Sequence, residues 1–183
     1  MKKYCIVGIG KHAVDKIIPA IEKNKNSKYY IVSRKKHLKL KSIKKFKTIE
    51  QAINSVDKKT FFILSTPPLI HSKQSKEIIK NGFDTFVEKP ALVNLKDFHN
   101  LKKSIKINKV FFVENFMYQY NKMYRVFLKK FYFFNKRNFK LKIHFTIPAY
   151  PLKSFRQTRS IYSSCLYDIG CYPISLLVDL KIK

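Results

Sequence analysis

Tryptophan is absent from this sequence, and acids are scarce: 11 Asp and Glu stand against 39 Lys and Arg, a formal net charge of +28. Cysteine is limited to Cys5, Cys165 and Cys171, an odd set with no C-x-x-C pair. That pattern excludes a disulfide framework, and Cys5, inside an apolar run, reads as a reduced buried thiol. No apolar stretch approaches the length that spans a bilayer. Met1-Lys2-Lys3 followed by the run Tyr4 to Ile9 imitates a leader. The run stops at Lys11-His12, short of an h-region, and no small-residue cleavage site follows. The expected location is the cytoplasm, with no membrane partner. The histidines at 12, 37, 71, 99 and 144 lack metal-ligand spacing and an adjoining acid cluster, so no metal is assigned.

Arginine is scarce too, with five of the 39 basic residues (34, 125, 137, 156 and 159). The excess charge is lysine, spread along the chain among many Ile, Asn, Phe and Tyr residues, the mixture an AT-rich genome favours. It attracts anionic ligands such as dinucleotides and nucleotide sugars without marking a nucleic-acid groove. With 183 residues, 45% of them hydrophobic, the chain can bury the core of one domain plus part of another.

Taken in order, Tyr4 to Val7 reads as a buried strand that runs into Gly8-Ile9-Gly10-Lys11-His12-Ala13. This is G-x-G-x-x-A, the dinucleotide fingerprint in its alanine form. Its first glycine permits a tight turn, its second admits a pyrophosphate, and its small third residue lets a helix pack on the strand. Val14, Ile17, Ile18 and Ile21 then recur as one face of a helix that Pro19 kinks. Tyr29 to Val32 is a second strand. Where a selector of NAD carries an acid, this chain has Ser33-Arg34-Lys35-Lys36. A hydroxyl beside a planar guanidinium suits a 2′-phosphate, so NADP is expected over NAD. A lysine-rich helix follows, then a short element near Phe46 to Thr48 and a small helix from Glu50.

Phe61 to Leu64 is another apolar strand, ending in Ser65-Thr66-Pro67-Pro68, and a helix from His71 to Lys80 is closed by Asn81-Gly82. The strand Thr85 to Val87 runs into Glu88-Lys89-Pro90. Pro90 has no amide hydrogen and pushes Lys89 out of helical geometry, so the strand ends there. Lys89 is thus held on a stiff turn at the carboxyl edge of the sheet, where open α/β folds bind ligands. A helix from Leu95 to Lys106 and a strand Val110 to Val113 complete a βα alternation, the signature of a doubly wound parallel sheet. The first domain is expected over 1–117 and a second, partial α/β domain over 118–183. The latter comprises a helix Tyr124 to Phe134, an alternating strand Phe139 to Ile147, a loop through Pro148, Pro151, Phe155 and Arg156, and a helix Leu166 to Leu180. In that last helix Asp168 and Tyr172, at i and i+4, share a face.

The order of these motifs resembles the glucose–fructose oxidoreductase, inositol dehydrogenase and rhizopine-catabolism (Gfo/Idh/MocA) family. The resemblance rests on the glycine loop at 8–13, Ser65-Thr66-Pro67 with His71, Glu88-Lys89-Pro90, Asn115-Phe116-Met117-Tyr118, and Asp168-Ile169-Gly170-Cys171-Tyr172-Pro173. It implies a Rossmann domain followed by an α/β domain on a large open sheet, and hydride transfer between NAD(P) and a sugar, sugar derivative or polyol. It also implies roles for single residues. Lys89 contacts substrate and cofactor, Asp168 binds substrate, and Tyr172 stands where members carry a catalytic histidine or tyrosine. A tyrosine, with a pKa of about 10, works as a base near neutrality when an ammonium stabilises its phenolate. Gly8, Gly10, Lys11, His12, Ala13, Ser33, Arg34, Ser65, Thr66, Pro67, His71, Glu88 and Lys89 are the cofactor-binding set. The sequence departs from the family at Ser163-Ser164-Cys165, where relatives have a small glycine run, and at Gln119, where many have arginine. Members are commonly nearly twice as long, with a second-domain sheet that supplies substrate contacts and the dimer surface.

Three readings follow. In the first the protein is an NAD(P)-dependent oxidoreductase of a sugar, sugar derivative or polyol, a shortened form or one half of a split protein, with a homo-oligomer or a complementary second half as its protein partner. In the second it is a dinucleotide-binding remnant or regulatory module without turnover. The third, a nucleic-acid binder using the basic, aromatic stretch Lys122 to Lys142, is disfavoured by the order of motifs.

Overall fold

The computed structural model describes residues 1–35, 40–134, 140–147 and 163–181. The chain divides into two compact units, Met1–Asn115 and Phe116–Lys183. In the first, six strands form one sheet: β1 Lys2–Val7, β2 Ser27–Val32, β3 Lys45–Phe46, β4 Thr60–Leu64, β5 Thr85–Glu88 and β6 Phe112–Asn115. Their order across the sheet is β3-β2-β1-β4-β5-β6, and every pairing is parallel. The winding reverses between β1 and β4, and a sheet of this kind offers its ligand crevice at that switch, beyond the strand carboxyl ends.

The register explains why the strands are apolar throughout. Cys5, Val7, Val32, Phe62, Leu64 and Val87 join one buried cluster with Phe46, Ile49, Ile78 and Phe83. Ile6, Tyr29 and Ile31, out of step by one residue, join a second cluster with Ile9, Ala13, Ile18 and Ile21. Side chains alternate along a strand, so two clusters mean a sheet covered on both faces, with no polar side. Phe62 is fully buried and meets Phe83 edge-on, ring centroids 5.0 Å apart.

The covering helices are α1 Ile18–Glu22, α2 Ile49–Ile53, α3 His71–Lys80 and α4 Leu95–Asn108. α2 begins where the Thr48 side chain accepts the Gln51 amide, and α4 where Asn94 accepts the Asp97 amide. α3 ends at Asn81-Gly82 as expected: Gly82 is left-handed, and the Gly82 and Phe83 amides donate to the Ile79 and Ile78 carbonyls.

Two expectations in this unit differ. The helix after the glycine loop widens into a π-turn over Ala13–Ile17 and is α-helical again from Ile18, with Pro19 in its first turn. Pro19 has no amide to donate, and just before it the Ile18 amide reaches back five residues to the Ala13 carbonyl. The wider turn moves Val14 off the buried stripe, leaving it 39% exposed while Ile18 and Ile21 are buried. Of the lysine-rich helix, residues 36–39 lie outside the described residues, Lys36 of the basic turn among them. Residues 40–44 form no helix. There the Ile43 amide donates to the Tyr29 carbonyl and the Lys44 carbonyl accepts from Ile31, satisfying the outer edge of β2.

The described residues of the second unit carry a 3₁₀ turn at Met117–Tyr120 and the helices α5 Lys122–Phe134, α6 Cys165–Asp168 and α7 Cys171–Asp179. The expected strand Phe139 to Ile147 is not found: Phe139 lies outside the described residues and 140–147 are irregular. An alternating pattern becomes a strand only when a neighbour completes its ladder, and among the described residues this unit has no other strand. The expected loop through Pro148, Pro151, Phe155 and Arg156 lies outside the described residues. The single helix expected over Leu166 to Leu180 is two helices. The Ile169 and Gly170 amides both donate to the Cys165 carbonyl, and a Cβ at Gly170 would stand 2.5 Å from the Leu166 carbonyl oxygen. Glycine permits that close turn, and the helix breaks there. Asp168 and Tyr172 therefore do not share the face of one continuous helix. No helix among the described residues is long and apolar enough to cross a membrane.

Candidate functional site

The carboxyl ends of β1, β2, β4, β5 and β6 bring the first unit's predicted residues to one edge of the sheet. After Val7 the chain turns at Gly8, φ +89°, whose amide donates to the Val32 carbonyl at 3.1 Å. A Cβ at Gly8 would stand 2.5 Å from Thr66 Cγ2 and 2.9 Å from the Ser65 carbonyl oxygen. Both the backbone angle and the closeness of the β4 end require glycine. Gly10 differs, for a Cβ there would meet no atom within 4 Å. The fold does not demand glycine at position 10, whereas a pyrophosphate lying over the helix start would. Ala13 is fully buried among the residues that cover the sheet. The loop therefore fits the group its sequence implies.

The flanking basic residues have distinct surroundings. Lys11 is exposed and pairs with Asp15 at 2.6 Å. His12 Nε2 lies 3.2 Å from Glu88 Oε1 at the end of β5, so one side chain links the glycine loop to the Lys89 turn. At the end of β2 the Ser33 hydroxyl accepts the Lys35 amide at 3.1 Å, and Arg34 is exposed beside it. Lys35 Nζ donates to the Ile9 carbonyl inside the glycine loop at 3.3 Å.

β4 contributes Ser65, whose amide donates to the Val7 carbonyl at 2.8 Å, and Thr66, whose hydroxyl donates to Gln74 Oε1 at 2.6 Å. Pro67 is exposed and leads into a short 3₁₀ turn before His71. The fully buried His71 ring lies between two loops, with Nε2 2.8 Å from the Thr66 carbonyl and Nδ1 3.0 Å from that of Pro90, and in its neutral form it donates to one of them. Burial pushes the imidazole pKa down, outweighing the two carbonyls that favour its charged form.

Half-buried Glu88 accepts from Asn115 Nδ2 at 2.7 Å on β6, in register with it. Burial would push its carboxyl up, but the His12 ring and the Asn115 amide outweigh burial and hold it below the usual glutamate range. Half-buried Lys89 follows, joined to Pro90 by a cis peptide bond. Glu114, which the sequence reading passed over, accepts the Ala91 amide at 2.7 Å just after this turn. Burial raises its carboxyl above the ordinary range, against the pull of the Ala91 amide and the Lys89 charge. The signal for it was available: Glu114 follows the apolar run Val110 to Val113 as Glu88 follows Phe86-Val87.

The remaining predicted residues belong to the second unit. Asp168 is buried, and its amide donates to the Ser164 carbonyl at 3.0 Å. Tyr172 is half-buried among aromatic rings. It stacks on Phe145 with centroids 4.5 Å apart and 11° between planes, and meets Phe116 at 5.7 Å and Tyr118 at 5.9 Å. Gln119 Nε2 donates to Asp179 Oδ2 at 3.0 Å, and the Tyr124 hydroxyl donates to the same oxygen at 2.5 Å. Burial and the adjoining Asp179 push the Tyr124 phenol far up, so it remains protonated. Among the described residues no group of three His, Cys, Asp or Glu could hold a metal ion.

Comparison with known proteins places this architecture. Residues 2–116 match the Gfo/Idh/MocA family, described as an oxidoreductase family with an NAD-binding Rossmann fold. No curated protein matches the chain. Among solved structures, KijD10, a 3-ketoreductase from Actinomadura kijaniata bound to NADP and TDP-benzene, is 18% identical with a TM-score of 0.79. That match covers 96% of this chain and 56% of KijD10. The WlbA dehydrogenase from Chromobacterium violaceum, bound to NADH and UDP-GlcNAcA, is 20% identical with a TM-score of 0.61 over 71% of this chain and 39% of its own. For myo-inositol 2-dehydrogenase from Lactobacillus plantarum the figures are 18%, 0.62, 70% and 40%. The chain thus spans little more than half the length of these structures at most, and at such identities they speak to fold. The matched profile, the strand order and the glycine loop agree, and the chain belongs to the Gfo/Idh/MocA family of oxidoreductases with an NAD-binding Rossmann fold.

Proposed function

We propose that the protein binds NADP(H) in preference to NAD(H) and transfers hydride between that cofactor and a sugar, sugar derivative or polyol. The observation that carries the reading is the convergence at one sheet edge of the Gly8–Ala13 loop, the Ser65–Thr66 turn and the Glu88–Lys89–Pro90 turn. Ser33 and Arg34 stand at the end of β2 without an acid beside them, which suits a 2′-phosphate and repels no anion. The similar structures include a dehydrogenase bound to UDP-GlcNAcA and a myo-inositol 2-dehydrogenase, so nucleotide-linked sugars and cyclitols are the substrate classes in view.

The bound nicotinamide supplies or accepts the hydride. The chain's residues handle the rest: the glycine loop and helix start receive the pyrophosphate, Lys89 orients cofactor and substrate hydroxyl, Asp168 holds a substrate hydroxyl, and Tyr172 carries the proton. A net charge of +28 draws anionic cofactor and nucleotide sugar toward the protein, increasingly so at low salt.

The test is nicotinamide absorbance with a panel of nucleotide sugars, free sugars and cyclitols. Turnover by the wild type, with Lys89→Ala and Tyr172→Phe each slowed by about 100-fold or more, is the expected result for groups that orient and move a proton. Full activity in both variants would overturn the assignment of roles. Tight NADPH binding with no turnover on any compound would favour a binding module.

A further inference from the structure

We propose that Glu114 is the positioning residue of the Lys89 turn, holding Lys89 in place through the hydrogen bond its carboxylate accepts from the Ala91 amide. The inference rests on the reading of Lys89 as a group that meets cofactor and substrate.

The argument begins with the donors the turn has to offer. Pro90 carries no amide hydrogen, so the first backbone donor beyond Lys89 is that of Ala91. A buried amide left without an acceptor is costly, and Ala91 is buried. No sheet partner continues there, because β5 ends at Glu88. The acceptor comes instead from β6, whose register sets Glu114 beside Val87 and Asn115 beside Glu88. Successive side chains of a strand point to opposite faces. β6 therefore holds the turn twice, by Asn115 Nδ2 on Glu88 Oε1 at 2.7 Å and by Glu114 Oε1 on the Ala91 amide at 2.7 Å. The His71 ring also lies at this turn, and in the tautomer that carries its proton on Nδ1 it donates to the Pro90 carbonyl at 3.0 Å. The positions on both sides of Lys89 are thus anchored from β6.

An ordinary core role for Glu114 would be better met by an apolar residue. A half-buried carboxylate whose resolved hydrogen bond goes to a turn amide is suited to fixing a backbone.

Two variants separate the possibilities. Glu114→Gln keeps an acceptor of the same reach, and Glu114→Ala removes it. Amide hydrogen exchange at Ala91, melting temperature, NADPH affinity and turnover are measured for both. In Glu114→Ala, Ala91 exchange should rise by about tenfold or more while NADPH affinity changes less than about threefold, and the maximal turnover rate should fall by about tenfold or more. Glu114→Gln should restore Ala91 protection and bring turnover within about threefold of wild type. A general loss of fold would raise exchange everywhere, whereas the clamp predicts a local change. Unchanged Ala91 exchange in Glu114→Ala overturns the proposal, as does a Gln variant as impaired as Ala. If the wild type turns over no substrate, the exchange result still decides the clamp, and the failure falls on the catalytic reading.

Discussion

Gly8 and Gly10 lie two residues apart in one loop, yet alanine at each should act on a different property. At Gly8 the backbone has φ +89°, and an added Cβ would lie 2.5 Å from Thr66 Cγ2 and 2.9 Å from the Ser65 carbonyl oxygen. The backbone angle alone costs an L-residue about 1–3 kcal/mol. Forcing apart two packed loops adds about 1–3 kcal/mol, because the second contact is backbone and cannot rotate away. Gly8→Ala should therefore lose about 2–6 kcal/mol, a large part of the ~5–15 kcal/mol that holds an ordinary domain folded. In urea the midpoint should fall clearly, and the melting temperature should drop by about 5 °C or more. At Gly10 the added Cβ meets no atom within 4 Å and the backbone is not left-handed. Gly10→Ala should leave stability unchanged or raise it by about 0.4–1 kcal/mol. Its NADPH affinity should nevertheless fall by about tenfold or more, since a methyl group would occupy the approach to the pyrophosphate. Urea denaturation and fluorescence titration of both variants check the pair. A Gly8→Ala protein as stable as wild type would refute the packing argument. A Gly10→Ala protein that binds NADPH normally would refute the placement of the pyrophosphate.

Three further outcomes are expected. Arg34→Asp should reverse the preference from NADPH to NADH in paired titrations; an unchanged ratio would show that Arg34 does not read the 2′-phosphate. His71 is held neutral by burial, its folded pKa lying below the ordinary value of 6.5. The unfolded chain then binds the extra proton first, so the contribution of His71 is complete above about pH 6.5 and is lost as pH falls through the folded value. Urea midpoints at pH 7.5 and 5.5 should show wild-type stability falling on acidification more steeply than in His71→Gln, and parallel slopes would refute it. Asp97, paired with Lys76 at 2.5 Å, has its carboxyl lowered to about 2 by that ammonium and by Asn94. Lys76→Met should lose less than about 1 kcal/mol near neutrality, an effect that fades as pH falls through 2. A difference that persists below that pH would exclude the ion pair as its cause.

The first unit was legible because each of its signals has one physical cause. A strand buried on both faces must be largely apolar, so Tyr4 to Val7, Tyr29 to Val32, Phe61 to Leu64 and Thr85 to Val87 stood out, and Gly or Pro marked the ends of all but the second. Local chemistry was equally readable at Asn81-Gly82. Where a long-range partner decides the outcome, the pattern misled. Residues 140–147 alternate like a strand but are irregular, and among the described residues the second unit has no strand to pair with them. The helix expected over 166–180 breaks because Gly170 lets the chain close over the Leu166 carbonyl, a close approach that periodicity does not register. Glu114 escaped notice for a related reason. Its partner, the Ala91 amide, is 23 residues away in sequence and is brought to it by the pairing of β5 with β6.

The most direct test of the account is a fluorescence titration of the protein with NADPH and with NADH at about 0.15 M salt, where the Debye length is about 8 Å and diffuse attraction by the lysines is screened. Gly10→Ala serves as the control that shares the same net charge. The account predicts saturable binding, tighter for NADPH than for NADH and weakened in the control. No saturable binding to either nucleotide, or binding equal in the wild type and the control, would contradict it.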